Sequence, residues 1–221
     1  ILLANVDLVL VGCLGTEAIA AVSIFTQPRM MILTLARSLA AALSLIAAGH
    51  FGAGRRGEAM RVLRQSLLFW GAVLLGIHVL FYRHLQSLLL WMGAEISYLP
   101  LASAYGEIAL LAVFVTGITA ILQSVLLGFG DTKTVLVTNL TGNVVNLSAS
   151  ALLIFGVKPF PALGVEGAAV GTVIGTLATL GGTLARLRRE PAATGGWMPD
   201  RAYFRKFLSV FGGIFSEQGF E

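Results

Sequence analysis

The chain has 221 residues, of which 57% are hydrophobic and only 12% are charged, and its formal net charge is +4. Soluble globular domains carry about 25% charged residues, so this composition argues against a soluble enzyme, a nucleic-acid-binding domain and a disordered tail. The one cysteine, Cys13, forms neither an internal disulfide nor a zinc site alone. A mean hydropathy of +0.86 instead indicates a polytopic membrane protein.

Long apolar runs follow one another along the chain, separated by short polar stretches. They lie at 1–13, 18–49, 66–82, 99–127, 134–157 and 164–185, and a seventh begins near Phe207. We interpret them as helices, because a helix satisfies its own backbone hydrogen bonds in lipid. The first run would rise only about 20 Å, less than the ~30 Å hydrocarbon core. Since the seventh run stops at Glu221, we expect an internal fragment of a longer protein.

Basic residues are divided unequally between alternate loops. Eleven lie in the loops near residues 55, 131 and 195, whereas the opposite loops contain two, Arg83 and Lys158. Cytoplasmic loops hold the excess of Lys and Arg in membrane proteins. We therefore expect the loops near 55, 131 and 195 to be cytoplasmic, in a bacterial inner membrane.

Asp7 is a carboxylate within the first apolar run. A charged side chain at the bilayer centre costs about 2.5–3.5 kcal/mol on insertion scales, so it needs a partner, a proton or water. Asp7 is therefore a candidate group for binding a proton or another cation. The alternative is that residues before Ile1 shift the membrane frame and place Asp7 near an interface.

The fifth run contains a stripe of polar side chains. Asn139, Asn143, Asn146 and Ser150 fall at i, i+4, i+7 and i+11, which is one side of a helix. Carboxamides in lipid either hydrogen-bond neighbouring helices or face an aqueous cavity. Both alternatives stay open, and the length of the stripe favours a cavity.

The second run contains Gln27, Arg29 and Arg37. The two arginines are about 80° apart around a helix, so they need not share one environment. Each either pairs with a carboxylate, Asp7 or Glu107, or snorkels to an interface.

The fourth run places Thr116, Thr119 and Gln123 at i, i+3 and i+7. Glu107 lies nearer the end of this run, where we expect it to touch the headgroup region. The sixth run contains a GxxxGxxxG pattern at residues 167–175, which predicts a close helix–helix approach. The glycine pairs in GAG and GFG, at 52–54 and 128–130, predict turns rather than phosphate loops, because no strand precedes them.

Four stretches, in this order and spacing, resemble the multidrug and toxic compound extrusion (MATE) family of cation-coupled exporters, specifically its N-terminal six-helix lobe. They are VDLVLVG with GTEAIAAV at 6–22, GHFGAGRRGEA at 49–59, GFGDTK at 128–133, and NLSASALLIFG with GVEGAA between 146 and 169. The WMPD at 197–200 resembles the linker into span seven.

The resemblance implies an all-α integral membrane fold: one six-helix lobe of a twelve-helix transporter, truncated within span one and at the start of span seven. Residues 1–190 would form the N-terminal lobe, 191–206 a cytoplasmic linker, and 207–221 the start of span seven, with the C-terminal lobe missing. The implied function is export of amphipathic organic cations by alternating access, driven by a proton or sodium gradient. No other cofactor, no resident metal and no nucleic-acid partner is expected.

The resemblance also assigns candidate site residues. Asp7 matches the family's first-span carboxylate, which would bind the coupling ion, sodium included, with Asn146 placed near it. Many members have an aspartate where this chain has Ser150, so a two-carboxylate sodium site is in doubt and Asp7 becomes the single titrating group. The polar residues within the apolar runs are the candidate lining of the substrate cavity, together with Glu217, which the resemblance places at the start of span seven: Gln27, Arg29, Thr116, Thr119, Gln123, Asn139 and Asn143.

Two other functions remain open. A flippase for lipid-linked oligosaccharide or peptidoglycan precursors shares the broad fold, and Arg29 and Arg37 would suit its phosphates. A non-transporting membrane scaffold, or a degenerate half-gene, is the second alternative. An enzyme is not expected, because these residues provide no nucleophile–base pair or metal cluster.

Overall fold

The computed structural model describes residues 11–156, 161–193, 195–196, 198–199 and 201–218, and for residues 202, 206 and 212–218 it describes the backbone alone. Asp7 lies outside these residues. The described part of the chain is all-helical, with seven helices and no strand. They are α1 (Thr16–Gly52), α2 (Arg56–Arg83), α3 (Leu85–Trp91), α4 (Leu99–Gly128), α5 (Thr132–Phe155), α6 (Gly164–Leu187) and α7 (Arg201–Gln218).

Five of these helices, α1, α2, α4, α5 and α6, are long and apolar enough to cross a membrane. They coincide with the second to sixth predicted runs, and α1 continues without a break through Pro28. Three details differ from the prediction: α2 begins at Arg56, α7 begins at Arg201, and the short α3 was not predicted. The opening turns of α2 and α7 contain several basic residues, Arg56, Arg61 and Arg64 in α2 and Arg201 and Arg205 in α7. A search for apolar runs therefore places the start of each helix too late.

Helix α4 lies at the centre of the described helices and packs against α1, α2 and α6. In its most apolar segment 67% of the residues are buried, compared with 22% for α5. Exposed leucines and valines on α5, such as Leu136, Val137 and Val144, therefore provide an outer apolar face, as a membrane requires.

Helices α5 and α6 form the most extensive helix pair, and the predicted close approach is confirmed. A Cβ added at Gly171 would lie 2.6 Å from the backbone nitrogen of Ser150, and one at Gly175 would lie 2.6 Å from the carbonyl oxygen of Gly142. Only glycine fits at this distance, so the GxxxGxxxG pattern brings the two backbones together.

Two hydrophobic clusters occupy the two ends of the helix bundle. The first includes Phe25, Ile32 and Val113, and the second includes Leu39 and Ile121. Along α1 the clusters are separated by 33–38, and along α4 by 114–120. A cavity lies at this middle level, lined on α1 by residues from Arg29 to Arg37 and on α4 by residues from Tyr105 to Gln123.

The segment before α7 is held against α2. Arg64 donates hydrogen bonds to the carbonyl oxygens of Gly195 (2.6 Å) and Gly196 (2.9 Å), and Gln65 donates to the carbonyl oxygen of Met198 (2.7 Å). The hydroxyls of Ser66 and Tyr203 are 2.8 Å apart. These contacts join the third turn of α2 to the segment before α7 and to the first turn of α7.

Candidate functional site

The cavity in the middle of the bundle has a volume of about 710 Å³ and is lined by α1, α4, α5 and α6. Pockets for small molecules usually measure about 300–1,000 Å³ and combine apolar walls with a few polar groups. This cavity fits that description. Its apolar lining residues lie mainly on α1 and α4 and include Leu33, Ala36, Ala109, Ala112 and Val113. Polar lining residues come from all four helices, and α5 and α6 contribute amides and hydroxyls.

Helix α1 brings both of its arginines into the cavity. Arg29 and Arg37 line it together with Leu33 and Ala36, so the two arginines do share one environment. Residues at i, i+4, i+7 and i+8 lie on one side of a helix. The angle of about 80° between Arg29 and Arg37 around the helix axis is small enough for both long side chains to reach the same cavity. Gln27 is exposed and does not line the cavity, because two positions before Arg29 is about 160° around the helix.

Helix α4 contributes the predicted Thr116, Thr119 and Gln123, and also Tyr105. The hydroxyls of Thr116 and Thr119 donate to the carbonyl oxygens of Ala112 (2.8 Å) and Val115 (2.7 Å). Because these bonds use the hydroxyl protons, the threonine oxygens are left as hydrogen-bond acceptors.

The asparagine stripe of α5 both lines the cavity and joins helices. Asn139, Asn143 and Asn146 are lining residues. The Asn139 amide donates to Gln123 Oε1 (3.3 Å), and Gln123 donates in turn to the hydroxyl of Thr183 on α6 (3.2 Å). Asn143 makes no hydrogen bond to any described residue, so its carboxamide is available to a ligand. Within the stripe, Asn139 therefore hydrogen-bonds a neighbouring helix, whereas Asn143 faces the cavity with a carboxamide that no described residue binds.

Ser150, the last member of the stripe, does not line the cavity. It is fully buried against α6, and its hydroxyl donates to Asn146 Oδ1 over 3.0 Å. Ser150 thus fixes the side chain of Asn146 rather than facing the cavity. The side chain of Glu217, like Asp7, lies outside the described residues, and Glu107 is exposed and away from the lining.

Three threonines of α6 complete the polar wall and were not predicted. Thr172, Thr176 and Thr179 line the cavity beside Gly175. Their spacing of i, i+4 and i+7 is the same signal that marks the asparagines, but the overlapping glycine pattern suggests only helix packing. Each of the three hydroxyls donates to a carbonyl oxygen of α6 at 2.9–3.1 Å.

The described part of the cavity lining is positively charged. Among the described lining residues the charged side chains are Arg29 and Arg37, and none is a carboxylate. Neither guanidinium forms an ion pair with a described residue, and Arg29 Nε is buried without a hydrogen-bond partner there.

The GFGDTK stretch forms a turn, as predicted, and its aspartate has two roles. Asp131 caps α5 by accepting a hydrogen bond from the Thr134 backbone (3.2 Å), and Arg186 donates to its other oxygen over 2.7 Å. The hydrogen bonds from Thr134, and then Arg186, hold the pKa of Asp131 below its ordinary value. Arg186 also pairs with Glu190 at 2.7 Å, and Arg56 approaches the same carboxylate at 3.5 Å.

A comparison with known families decides the identity of this bundle. The MatE family model matches residues 1–152. The chain belongs to the MatE family. The MatE assignment and the five apolar helices make it an integral membrane protein, and its homologues are transporters rather than enzymes.

Curated relatives and solved structures agree with the MatE assignment. The chain is 30% identical to the probable multidrug resistance protein NorM of Rhizobium meliloti, over 84% of this chain and 39% of that protein. It is 28% identical to the FAD transporter of Shewanella oneidensis, over 79% and 38%. A crystal structure of MATE in the bent conformation superposes with a TM-score of 0.87 at 25% identity, covering 98% of this chain and 49% of that one. The chain thus spans about half the length of these relatives or less.

Proposed function

We propose that this MatE-family chain acts in secondary active export, in which a proton or sodium gradient drives a small molecule out by alternating access. The observation that carries the proposal is the cavity of about 710 Å³ at mid-height of a membrane helix bundle, whose lining combines apolar side chains with amides, hydroxyls and two guanidinium groups. Such a cavity binds an amphipathic organic molecule. Since the chain spans about half of its relatives, we further propose that a second lobe, with residues near Glu217, completes the transporter.

Asp7 is the proposed coupling-ion group, assisted by Asn146 and Ser150. Val11, four positions after Asp7, is fully buried in one cluster with Ile154 of α5 and Ala168 of α6. The sequence predicts a helix through 1–13, in which four positions are about one turn. This supports a position for Asp7 near the Asn146–Ser150 hydrogen bond, where protonation would change the contacts between helices and bias two conformations.

The substrate charge is the point on which the family resemblance and the cavity disagree. The resemblance favours organic cations, and one relative is named a multidrug resistance protein. Another is named an FAD transporter, and the described cavity lining contains two arginines without a carboxylate. The flippase alternative is favoured by the same two arginines.

The first experiment follows uptake of fluorescent substrates into everted vesicles that contain the full-length protein. The loops near 55, 131 and 195, which we propose are cytoplasmic, then face the medium. The pH gradient and the sodium gradient are collapsed separately, and loss of uptake with one of them identifies the coupling ion. Uptake that survives collapse of both gradients would contradict ion-coupled export.

The Asp7→Asn variant tests the coupling group. We expect it to abolish gradient-driven uptake while the protein is still expressed, because an amide does not exchange a proton near neutral pH. The matched control is Glu107→Gln, which makes the same change at an exposed position outside the cavity. Wild-type uptake by Asp7→Asn would contradict the assignment of Asp7.

A further inference from the structure

We propose, building on the export function above, that the cavity selects an organic anion with a phosphate or carboxylate group, which Arg29 and Arg37 bind. This reverses the substrate charge that the family resemblance implies. The inference rests on three observations: the charge balance of the described lining, the unused donors of the arginines, and the apolar side chains that lie beside the arginines in the lining.

The charges of the described lining favour an anionic ligand. The described lining contributes two guanidinium groups and no carboxylate. Arginine stays protonated at every physiological pH, so both charges are permanent. If Asp7 reaches the cavity and is ionised, it neutralises only one of them. An organic cation would meet uncompensated repulsion in this lobe, whereas an anion would meet complementary charge.

The donors of Arg29 support the same conclusion. Its Nε is buried and has no hydrogen-bond partner among the described residues, although buried polar groups nearly always have one. A carboxylate or phosphate accepts two parallel N–H···O bonds from one guanidinium, with Nε as one of the donors. An anionic ligand would therefore satisfy the group that the described protein leaves unpaired. Arg37 lies two helical turns away on the same side of α1, and its guanidinium group is a second bidentate donor.

The remaining walls fit the organic part of such a ligand. Arg29 and Arg37 flank Leu33 and Ala36 on α1, and the adjoining α4 wall contains Ala109. An anionic group bound at α1 would therefore place an aromatic or aliphatic body over an apolar surface. Across the cavity, Asn143 offers a carboxamide, and the threonines offer acceptor oxygens to donors on the ligand.

The same chemistry has two possible sources: a water-soluble organic anion, as an exporter requires, or the phosphate of a lipid, as a flippase requires. Both present oxygen acceptors to a guanidinium. The experiment therefore contains one arm for each source.

The experiment uses the purified full-length protein in liposomes with imposed pH and sodium gradients. The soluble probes are flavin mononucleotide (an organic phosphate), carboxyfluorescein (a carboxylate) and ethidium (a cation). The lipid arm measures flipping of a fluorescent isoprenyl phosphate without a gradient. The variants are Arg29→Gln, Arg37→Gln and the double variant, and the control is Arg83→Gln, at an exposed arginine outside the cavity.

We expect the wild type to accumulate at least one soluble anion, and the double variant to lower the ratio of anion to ethidium uptake by about tenfold. This corresponds to about 1.4 kcal/mol, close to the lower end of the range for hydrogen bonds to charged groups. Arg83→Gln should leave the ratio unchanged. Because Arg29→Lys keeps the charge but loses the fork geometry, we expect it to give an intermediate ratio.

Each remaining outcome is decisive. Wild-type uptake of ethidium without either anion overturns the anion inference and leaves the exporter. An unchanged ratio in the double variant overturns it as well. Flipping of the lipid phosphate that requires the arginines, without soluble uptake, supports the anion inference and overturns the exporter. No movement of any probe overturns both.

A misfolded variant is recognised by a separate readout. Binding of flavin mononucleotide to detergent-solubilised protein is measured beside the thermal unfolding midpoint. The inference requires a dissociation constant raised about tenfold in the double variant, with an unfolding midpoint that is not lowered. If the double variant unfolds at lower temperature, Arg29→Lys and the two single variants are measured instead. A wild-type dissociation constant in all three of them contradicts the inference.

Discussion

Arginines occupy two regions of this molecule in opposite ways. Arg186 and Arg56, at the ends of α6 and α2, are paired: Arg186 contacts Asp131 and Glu190 at 2.7 Å each, and Arg56 contacts Glu190 at 3.5 Å. Arg29 and Arg37, in the cavity, form no ion pair with any described residue. The same residue type therefore joins helices in one region and leaves positive charge available in the other.

The difference shows how charge is used in a mostly apolar chain. A guanidinium between two carboxylates connects the loop before α5 with the end of α6, and thereby strengthens a helix pair that already packs through glycine. A guanidinium without a carboxylate partner forms no such link between helices, and where it is partly buried, as at Arg29, it costs desolvation. The anionic ligand that we propose would supply the missing charge. The two regions should therefore respond differently to the loss of an arginine.

The largest effect on stability is expected from Arg186→Ala. The side chain of Glu190 is only 3% exposed, so the substitution leaves a nearly buried carboxylate with Arg56 alone. Breaking a fully buried ion pair costs about 3–5 kcal/mol, and since Asp131 is partly solvated we expect a loss of about 2 kcal/mol. The measurement is the thermal unfolding midpoint in detergent, which should fall by about 4–8 °C.

The matched control for that substitution is Arg188→Ala, an exposed arginine two positions later, which should change the midpoint by less than about 1 °C. The cavity variant Arg29→Gln should not lower it. If Arg29→Gln destabilises the protein as much as Arg186→Ala does, Arg29 has a structural partner and the contrast between the two regions is wrong.

A smaller effect is expected within the asparagine stripe, where the same contrast recurs. Asn139 bonds Gln123, so Asn139→Leu leaves a carbonyl oxygen unsatisfied and should cost about 1 kcal/mol. Asn143 has no described partner, so Asn143→Leu should lower transport with little change in stability. Unfolding midpoints and uptake rates of the two variants are compared. Equal effects of both kinds would mean that the carboxamides have one common role.

The sequence predicts the long helices well, because a membrane span is an extended property of composition that needs no tertiary information. The glycine pattern of α6 likewise predicts a close helix pair, since only glycine tolerates a backbone approach such as that at Gly171. The prediction fails where helices are amphipathic. Arg56 and Arg201 begin helices that reach well before their apolar runs, and the tertiary contacts of α2 with the segment before α7, made by Arg64 and Gln65, are not revealed by any local pattern.

The candidate site is predictable to the extent that it follows one helix at a time. The stripe of α5 and the polar positions of α4 line the cavity as the spacing indicates, although the role of Ser150 depends on a hydrogen bond that spacing does not report. The prediction that Gln27 lines the cavity with Arg29 is wrong, because Gln27 lies on another side of α1. The sharing of one cavity by Arg29 and Arg37 depends on where α4 and α5 cross α1, which is tertiary information.

The smallest effect is expected at Asp131 and appears only at low pH. Its pKa is lowered in the folded protein, first by the hydrogen bonds from Thr134 and then by Arg186, from an ordinary value of 3.8. A lowered folded-state pKa means that the carboxylate stabilises the protein at pH values above the unfolded-state pKa, and that this stabilisation is lost as the pH falls through the folded-state pKa.

The Asp131→Asn variant tests this contribution. It keeps the helix cap, because asparagine caps as well as aspartate, and removes only the charge. Above pH 5 the variant should unfold about 2 °C below the wild type, as the loss of one partly exposed ion pair predicts. The difference should begin to shrink below about pH 4, where the carboxylate of the unfolded wild type takes up a proton, and should vanish below the lowered folded-state pKa, where the folded wild type also has a neutral side chain. A difference that stays constant from pH 7 to pH 3 would show that Asp131 acts through its cap alone, and the pairing with Arg186 would then contribute nothing to the contrast between the two groups of arginines.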